Sequence, residues 1–338
     1  PRRPDPSDLT NLFLERIVPR FENPYVVLRY WREIPPDTWA LACRKLRDNA
    51  SMMIYSDDCV VPAMEQLGIP RAEALEYTMH GCNWPDLPPS QVNMGCIWRN
   101  VAATLTAALP RLEAIAAGMD DVYAAFRERY SEEIRADIAH TVTRREALSA
   151  AAPGTLALDD CFLRGPIASA CAKRSGGVRY RTMLTTFSGF ATLADSLAAI
   201  DDVVFRQHAA TLDELVDALE ADFVGYEQLH SLCRRAPKWG CNDERADAHA
   251  VRIMKLMQEE IDAACANVEG KPLLIFRCIE TDMTHIRAGR ETGATPDGRR
   301  AGAPISENTS PAVGASRDGI TSMLQSVAKL PLDTCHSG

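Results

Sequence analysis

The apolar residues of this 338-residue chain recur mostly at the spacing of an α-helix. One apolar stripe at that spacing consists of Leu212, Leu215, Val216 and Leu219. Thr211 and Glu214 form a capping box at its start, in which the threonine side chain caps the first free amides and the glutamate reaches back. The pattern predicts a helix that begins at Thr211.

Three further segments are predicted as helices, over residues 71–79, 120–140 and 248–268. A continuous apolar run at 272–276, PLLIF, is typical of a strand buried on both faces of a parallel sheet. Strand patterns separated by helical ones favour an α/β architecture. No repeat or linker divides the chain, so we expect one domain over residues 1–338.

Composition excludes several classes of protein. The net charge of -9 and the pI near 5.4 argue against nucleic-acid binding, which needs a clustered positive surface. No apolar run reaches the ~18 residues that span a bilayer. The 11 cysteines include no C-x-x-C pair, so we predict no metal site and expect mostly reduced thiols in a cytoplasmic protein.

Two stretches depart from regular structure. Residues 80–89, HGCNWPDLPP, combine Gly81 with three prolines, which fix φ and remove backbone donors. Residues 292–304 are rich in glycine and contain Pro296-Asp297-Gly298, a turn sequence. Arg299 and Arg300 follow that turn and could hold phosphate. The chain contains neither of the phosphate-binding motifs G-x-x-x-x-G-K-[ST] and G-x-G-x-x-G, however.

Several stretches, in order along the chain, resemble the glycyl radical enzymes of the pyruvate formate-lyase-like superfamily. The stretches that carry the resemblance are GC at 81–82, FSG at 187–189, TLADSLAAI at 192–200, residues 211–221 with Tyr226, PKWG at 237–240 with Asn242 and Asp243, PDGRRAGAP at 296–304, SP at 310–311 and SVAKL at 326–330. The resemblance covers about residues 51–330 and identifies the chain as a member of that superfamily.

The resemblance implies a ten-stranded α/β barrel of two parallel half-sheets wrapped by helices, of which this chain forms part. It implies that Cys82 is the catalytic residue, whose thiyl radical takes hydrogen from a small organic substrate. The thiol hydrogen is taken by a glycyl radical, which a radical-SAM iron–sulfur activating enzyme installs, and no cofactor is bound. A homodimer is also implied. Any other cysteine, Cys96 included, is expected to be a packing residue.

The site sequence departs from the family pattern at two positions. Gly81 precedes Cys82 where pyruvate formate-lyase has a second cysteine, so its acyl transfer is not expected. Trp84 stands where the dehydratase, choline-lyase and arylacetate decarboxylase branches carry a proton-transferring glutamate. Tryptophan cannot move a proton at neutral pH.

This departure leaves reactions that hydrogen abstraction alone can start, such as the addition of an activated C–H compound to an alkene. A dehydratase or decarboxylase would need another base, such as Asp86 or His80. Trp84 and Asn83 are predicted to contact substrate, although simple packing is as good an interpretation of Trp84.

The family's radical glycine lies in an Arg-Val-x-Gly-Tyr type motif, which these 338 residues do not contain. We therefore expect a piece of a longer chain, truncated at both ends, with the glycyl radical domain outside it and the fragment alone inactive. Two alternatives remain: a non-catalytic paralogue or structural subunit with the same fold, and an unrelated helical binding protein. The downstream sequence distinguishes the first alternative from the enzyme.

Overall fold

The structure is a computed structural model that describes residues 9–17, 26–48, 52–80, 84–112, 116–151, 157–266, 273–277 and 284–336. The chain divides into two compact units, which are described separately below. Unit 1 comprises residues 1–87 and 333–338, and unit 2 comprises residues 88–332. The prediction of one domain over residues 1–338 stays a prediction.

Unit 1 combines two short sheets with helices. Its helices are α1 (Leu9–Arg16), α2 (Pro36–Arg47), α3 (Asp57–Gln66) and α4 (Arg71–Ala74). Its strands are β1 (Val26–Tyr30), β2 (Met52–Ser56), β3 (Thr78–His80) and β4 (Trp84–Asp86). Strands β1 and β2 pair in parallel, and β3 and β4 form an antiparallel hairpin. The apolar core between the parallel pair and the first two helices is built from Leu14, Leu28, Ile34, Ala42 and Met52.

Unit 2 is a parallel sheet with helices. Its strands are β5 (Gln91–Asn100), β6 (Tyr180–Ser188) and β7 (Leu273–Arg277). Its helices are α5 (Val101–Ala108), α6 (Met119–Ala150), α7 (Pro166–Ser169), α8 (Phe190–Ala199), α9 (Leu212–Glu220), α10 (Glu227–Arg235), α11 (Glu244–Ala266), α12 (Thr284–Arg290) and α13 (Gly319–Val327). The sheet order is β5-β6-β7, and both pairings are parallel. The predicted α/β class is confirmed.

The central strand β6 buries polar side chains as well as apolar ones. The hydroxyls of Thr182, Thr185 and Thr186 each donate a 3.4 Å hydrogen bond to a carbonyl of a neighbouring strand. Because buried hydroxyls need partners, these bonds remove the cost of placing threonine in the core. Strand β6 then leads through Gly189 into α8, whose residues are all buried.

Several predicted elements have different bounds in the structure. The capping box is confirmed: the Glu214 amide donates to Thr211 Oγ1 over 3.1 Å, and the Thr211 amide donates to Glu214 Oε2 over 2.7 Å. The helix predicted over 120–140 continues to Ala150, and the one predicted over 248–268 begins at Glu244. The strand predicted over 272–276 is confirmed as β7.

The helix predicted over residues 71–79 is wrong. Helix α4 ends at Ala74, and Thr78–His80 is a strand. Cross-strand pairing with Trp84–Asp86 gives these residues backbone partners that a helix would otherwise supply. The chain therefore enters the cysteine segment from a strand.

Among the described residues, no helix combines the length and apolar character that crossing a membrane would require.

Candidate functional site

The predicted cysteine loop is flanked by a short hairpin in unit 1. Strands β3 and β4 pair at Thr78 with Asp86, Met79 with Pro85, and His80 with Trp84. The ladder therefore ends immediately on either side of residues 81–83, which join the strands. Cys82 and Asn83 lie outside the described residues, so their catalytic and substrate-binding roles stay predictions.

Trp84 and Asp86 lie on the same face of the hairpin. Side chains alternate along a strand, so residues two apart share a face, with their Cα atoms about 7 Å apart. Both residues are half-buried, whereas Pro85 between them faces the other way and is buried. The Asp86 carboxylate thus lies on the same face as Trp84, the position at which the dehydratase and decarboxylase branches of the resembled superfamily carry glutamate. The substrate contact predicted for Trp84 stays a prediction.

Three side chains hold the base of the hairpin: Asp57 and Tyr77 are buried, and Arg29 is partly exposed. Asp57, the first residue of α3, accepts hydrogen bonds from Arg29 Nε at 2.8 Å and from a terminal Arg29 nitrogen at 2.9 Å. The Tyr77 hydroxyl donates to the same carboxylate over 2.8 Å. Arg29 is on β1, and Tyr77 immediately precedes β3. The group therefore connects three elements of unit 1.

Arg29 also binds the backbone of the turn before the hairpin. Its Nη1 donates to the carbonyls of Leu75 at 2.9 Å and Tyr77 at 3.2 Å. Its guanidinium lies 4.0 Å from the centre of the Tyr77 ring, in a cation–π contact. Burial, and next the charge of Asp57, raise the pKa of Tyr77 well above its usual range. The phenol is therefore a stable hydrogen-bond donor at neutral pH.

Unit 2 contains a cavity of about 390 Å³ next to the glycine-rich segment. Its lining includes Thr192, Asp195, Lys238, Asp297, Val313 and Arg317. Asp195 is wholly buried, and one of its oxygens accepts a 2.6 Å hydrogen bond from the Trp239 amide. Its other oxygen, Oδ2, has no hydrogen-bond partner.

The charge of Asp195 is poorly compensated. Burial, opposed by Lys238 and assisted by the nearby Asp297, raises the pKa of Asp195 to about 7. The Lys238 ammonium donates instead to the carbonyls of Cys233 at 2.9 Å and Asp297 at 3.2 Å. Near neutral pH the carboxyl therefore exchanges between its charged and neutral forms.

The glycine-rich segment is a structural turn. Gly298 has φ +89° and donates to the Thr295 carbonyl, as the Pro-Asp-Gly sequence predicts. The Arg299 guanidinium donates to Thr295 Oγ1 and to four backbone carbonyls, those of Thr292, Gly293, Arg300 and Ala303. Arg300 pairs with Asp222. Because its donors are used within the protein, the Arg299 guanidinium stabilises this turn and is not available to hold phosphate.

In the part of the chain that the structure describes, no group of three or more histidine, cysteine, aspartate or glutamate side chains could hold a metal ion.

Sequence patterns missed the Arg29–Asp57–Tyr77 group and the buried Asp195. A weak signal existed for Asp195, because it is an acidic residue in the otherwise uncharged helix Phe190–Ala199. No spacing links Arg29, Asp57 and Tyr77, which only the fold of unit 1 brings together.

Comparison with known proteins agrees with the family resemblance found in the sequence. The family model described as Pyruvate formate lyase-like matches residues 5–275. The trans-4-hydroxy-L-proline dehydratase of Clostridioides difficile is 35% identical over 178 residues, which cover 51% of this chain and 21% of the relative. The isethionate sulfite-lyase of Bilophila wadsworthia is 37% identical over 142 residues, which cover 41% of this chain and 16% of the relative.

The fold has a close counterpart among solved structures. The glycerol-bound B12-independent glycerol dehydratase from Clostridium butyricum superposes with a TM-score of 0.84 at 22% identity, over 94% of this chain and 42% of that one. The predicted partial glycyl radical enzyme barrel is thereby confirmed as the fold. The chain spans less than half the length of these proteins. With the family model matching residues 5–275, the chain belongs to the pyruvate formate lyase-like family.

Proposed function

We propose that this chain is the cysteine-bearing part of a glycyl radical enzyme that carries out a radical-driven elimination on a small organic substrate. The observation that carries the proposal is the β3–β4 hairpin, which brackets Gly81-Cys82-Asn83 in a chain of this family. The names of the relatives, a dehydratase and a sulfite-lyase, support elimination as the reaction class.

In this proposal Cys82 is the hydrogen-abstracting residue. A glycyl radical outside this chain, installed by a radical-SAM activating enzyme, supplies the ability to remove the thiol hydrogen. The Cys82 sulfur radical then takes a hydrogen from a substrate carbon that bears a hydroxyl group. Neither step needs a thiolate, so a protonated cysteine is suitable, in contrast to nucleophilic cysteine catalysis. A homodimer is part of the proposal.

Trp84 favours one kind of leaving group. When the C–X bond next to the radical carbon breaks, X leaves with the bonding electron pair and the hydroxyl of the radical carbon loses its proton. The carbonyl-stabilised radical then takes its hydrogen back from Cys82. Water has a pKa of about 15.7, so hydroxide leaves only with help from a proton donor, which Trp84 is not. We therefore propose a substituent that leaves as a stable anion, such as sulfite.

The proton released from the hydroxyl group needs an acceptor. Asp86 shares the hairpin face of Trp84, and its carboxylate can accept a proton. We propose Asp86 as the general base, with an expected contribution of about 10²–10⁴ in rate.

The test uses the full-length enzyme after anaerobic activation. It is supplied with isethionate and, separately, with propane-1,2-diol and glycerol, and sulfite and aldehyde are measured. We expect sulfite and aldehyde from isethionate and little aldehyde from the diols. Asp86→Asn is expected to lower the rate, whereas Asp58→Asn, at an exposed acid of unit 1, is not.

Efficient aldehyde formation from either diol would overturn the leaving-group proposal. Absence of a glycyl radical signal from the activated full-length chain would favour the alternative of a non-catalytic subunit.

A further inference from the structure

We infer that Tyr77, held by Asp57 and Arg29, is a positioning residue that fixes the direction in which the hairpin presents Cys82. The inference rests on the proposed role of Cys82. It is drawn from a group of contacts at the base of the hairpin, where Tyr77 precedes Cys82 by five positions in the sequence.

The hairpin has little rigidity of its own. Each strand has three residues, and an isolated two-stranded hairpin is at best marginally stable in water. Hydrogen transfer between a thiol and a carbon requires the reacting atoms to be within about 3–3.5 Å, and a misplacement of about 1 Å can cost 10²-fold in rate. Anchorage at the base of the hairpin therefore bears directly on the reaction.

The Arg29–Asp57–Tyr77 group provides that anchorage through both backbone and side chain. Arg29 binds the carbonyls of Leu75 and Tyr77, which determines the path of the chain into β3. The Tyr77 hydroxyl binds Asp57, which Arg29 holds through two of its nitrogens. The Tyr77 and Asp57 side chains are almost fully buried, at 1% and 2% exposure, so water does not replace a lost bond readily.

Charge and shape make the group rigid. A carboxylate that accepts two parallel bonds from one guanidinium has a fixed orientation, and the third bond, from Tyr77, points along one direction only. The Arg29 guanidinium also covers one face of the Tyr77 ring. Removal of the hydroxyl alone leaves the ring and that contact in place.

Tyr77→Phe is therefore the informative variant, and Tyr55→Phe is its matched control. Tyr55 is buried in the same unit, and its hydroxyl bonds to Met53 Sδ, on the same strand β2, at 3.5 Å. Both variants lose one buried hydroxyl. Arg29→Lys is a second test, since lysine keeps the charge but cannot form the paired bonds to Asp57.

The first measurement is the rate at which iodoacetamide alkylates Cys82 in this chain, followed by mass spectrometry of the peptide that contains it. We expect Tyr77→Phe to raise the rate by on the order of fivefold, the factor by which one lost buried hydrogen bond changes a local opening equilibrium. Arg29→Lys should raise it as well, and Tyr55→Phe should leave it close to that of the wild type.

The second measurement uses the full-length activated enzyme. Tyr77→Phe is expected to lower kcat by about tenfold or more, with KM and the yield of glycyl radical unchanged. A residue that only maintained the fold would lower radical yield or melting temperature together with kcat.

The two proposals fail in different ways. Full turnover by Cys82→Ala would overturn the proposed function, while the alkylation rates would still test the anchorage. An inactive Cys82→Ala together with equal behaviour of Tyr77→Phe and Tyr55→Phe in both measurements would overturn the positioning role alone.

Discussion

The Asp195 carboxylate accepts a 2.6 Å hydrogen bond from the backbone amide of Trp239, and both side chains are wholly buried. The bond ties helix α8 to the segment 237–240. The Trp239 ring packs edge-on against Phe190, with centroids 5.9 Å apart, and its indole nitrogen donates to the Thr309 carbonyl over 2.7 Å. Two sequence motifs that are far apart in the chain, residues 192–200 and 237–240, are thus joined at Asp195, and Trp239 also binds Thr309, next to the motif at 310–311.

Asp195 should make stability depend on pH. The pKa of Asp195 is raised to about 7 in the folded protein, against about 3.9 for an unperturbed aspartate, so the folded state binds its proton more tightly. Stability is therefore highest below the lower value and falls as pH rises towards 7, by up to about 4 kcal/mol. Burial also raises the pKa of Asp297, which adds to the trend.

Asp195→Asn removes this proton while keeping an oxygen for the Trp239 amide. The variant should become more stable relative to the wild type as the pH rises from 5 to 8, because the wild type alone loses stability over that range. Urea denaturation at each pH measures the free energy of unfolding of both proteins. An unchanged difference across that range would contradict the pKa assigned to Asp195.

A pair of glycines separates backbone strain from steric contact. Gly225 and Gly240 have similar φ angles, +84° and +87°. A Cβ at Gly240 would lie 2.2 Å from Pro311 Cγ, whereas nothing lies within 4 Å of one at Gly225. Gly225→Ala should cost about 1–2 kcal/mol of stability, from the left-handed conformation alone.

Gly240→Ala should cost at least 1–3 kcal/mol more, roughly the penalty of overpacking, because Pro311 must move. Thermal denaturation of both variants measures the difference. Equal losses of stability in the two variants would mean that Pro311 moves away from the new Cβ without destabilising the protein.

Cys82→Ala in the full-length activated enzyme should abolish turnover and leave the glycyl radical signal intact, because the radical is formed before the thiol acts. Cys96→Ala is the matched control. Cys96 is half-buried on β5, and its thiol contacts the Ile97 carbonyl at 3.7 Å, so its loss should cost roughly 1 kcal/mol of stability and little activity. More than trace activity in Cys82→Ala would place the abstracting group elsewhere.

The 338-residue chain by itself should give no glycyl radical. It contains no Arg-Val-x-Gly-Tyr motif, so a radical-SAM activating enzyme with reductant and S-adenosylmethionine has no glycine of that kind to oxidise. Electron paramagnetic resonance after anaerobic treatment checks this, and a polypeptide that carries the motif should restore an oxygen-sensitive doublet.

A signal from the chain alone would mean that the radical site has been misplaced. Gly225, which precedes Tyr226, would then be the first position to substitute.

The sequence by itself determined the local features of this protein. The Thr211–Glu214 capping box and the Pro296-Asp297-Gly298 turn depend on contacts within a few residues, so their residue types were enough to predict them. The apolar run at β7 predicted a buried parallel strand for the same reason. Ordered motifs also identified the family, which the comparisons confirmed.

Tertiary structure alone decided the features that depend on distant residues. Thr78–His80 pairs with Trp84–Asp86 and is a strand, although its spacing continues a helical pattern, because cross-strand hydrogen bonds outweigh a weak local preference. Arg29, Asp57 and Tyr77 meet only because three elements of unit 1 pack together. The elevated pKa of Asp195 likewise comes from burial, a property of the folded chain and of no sequence motif.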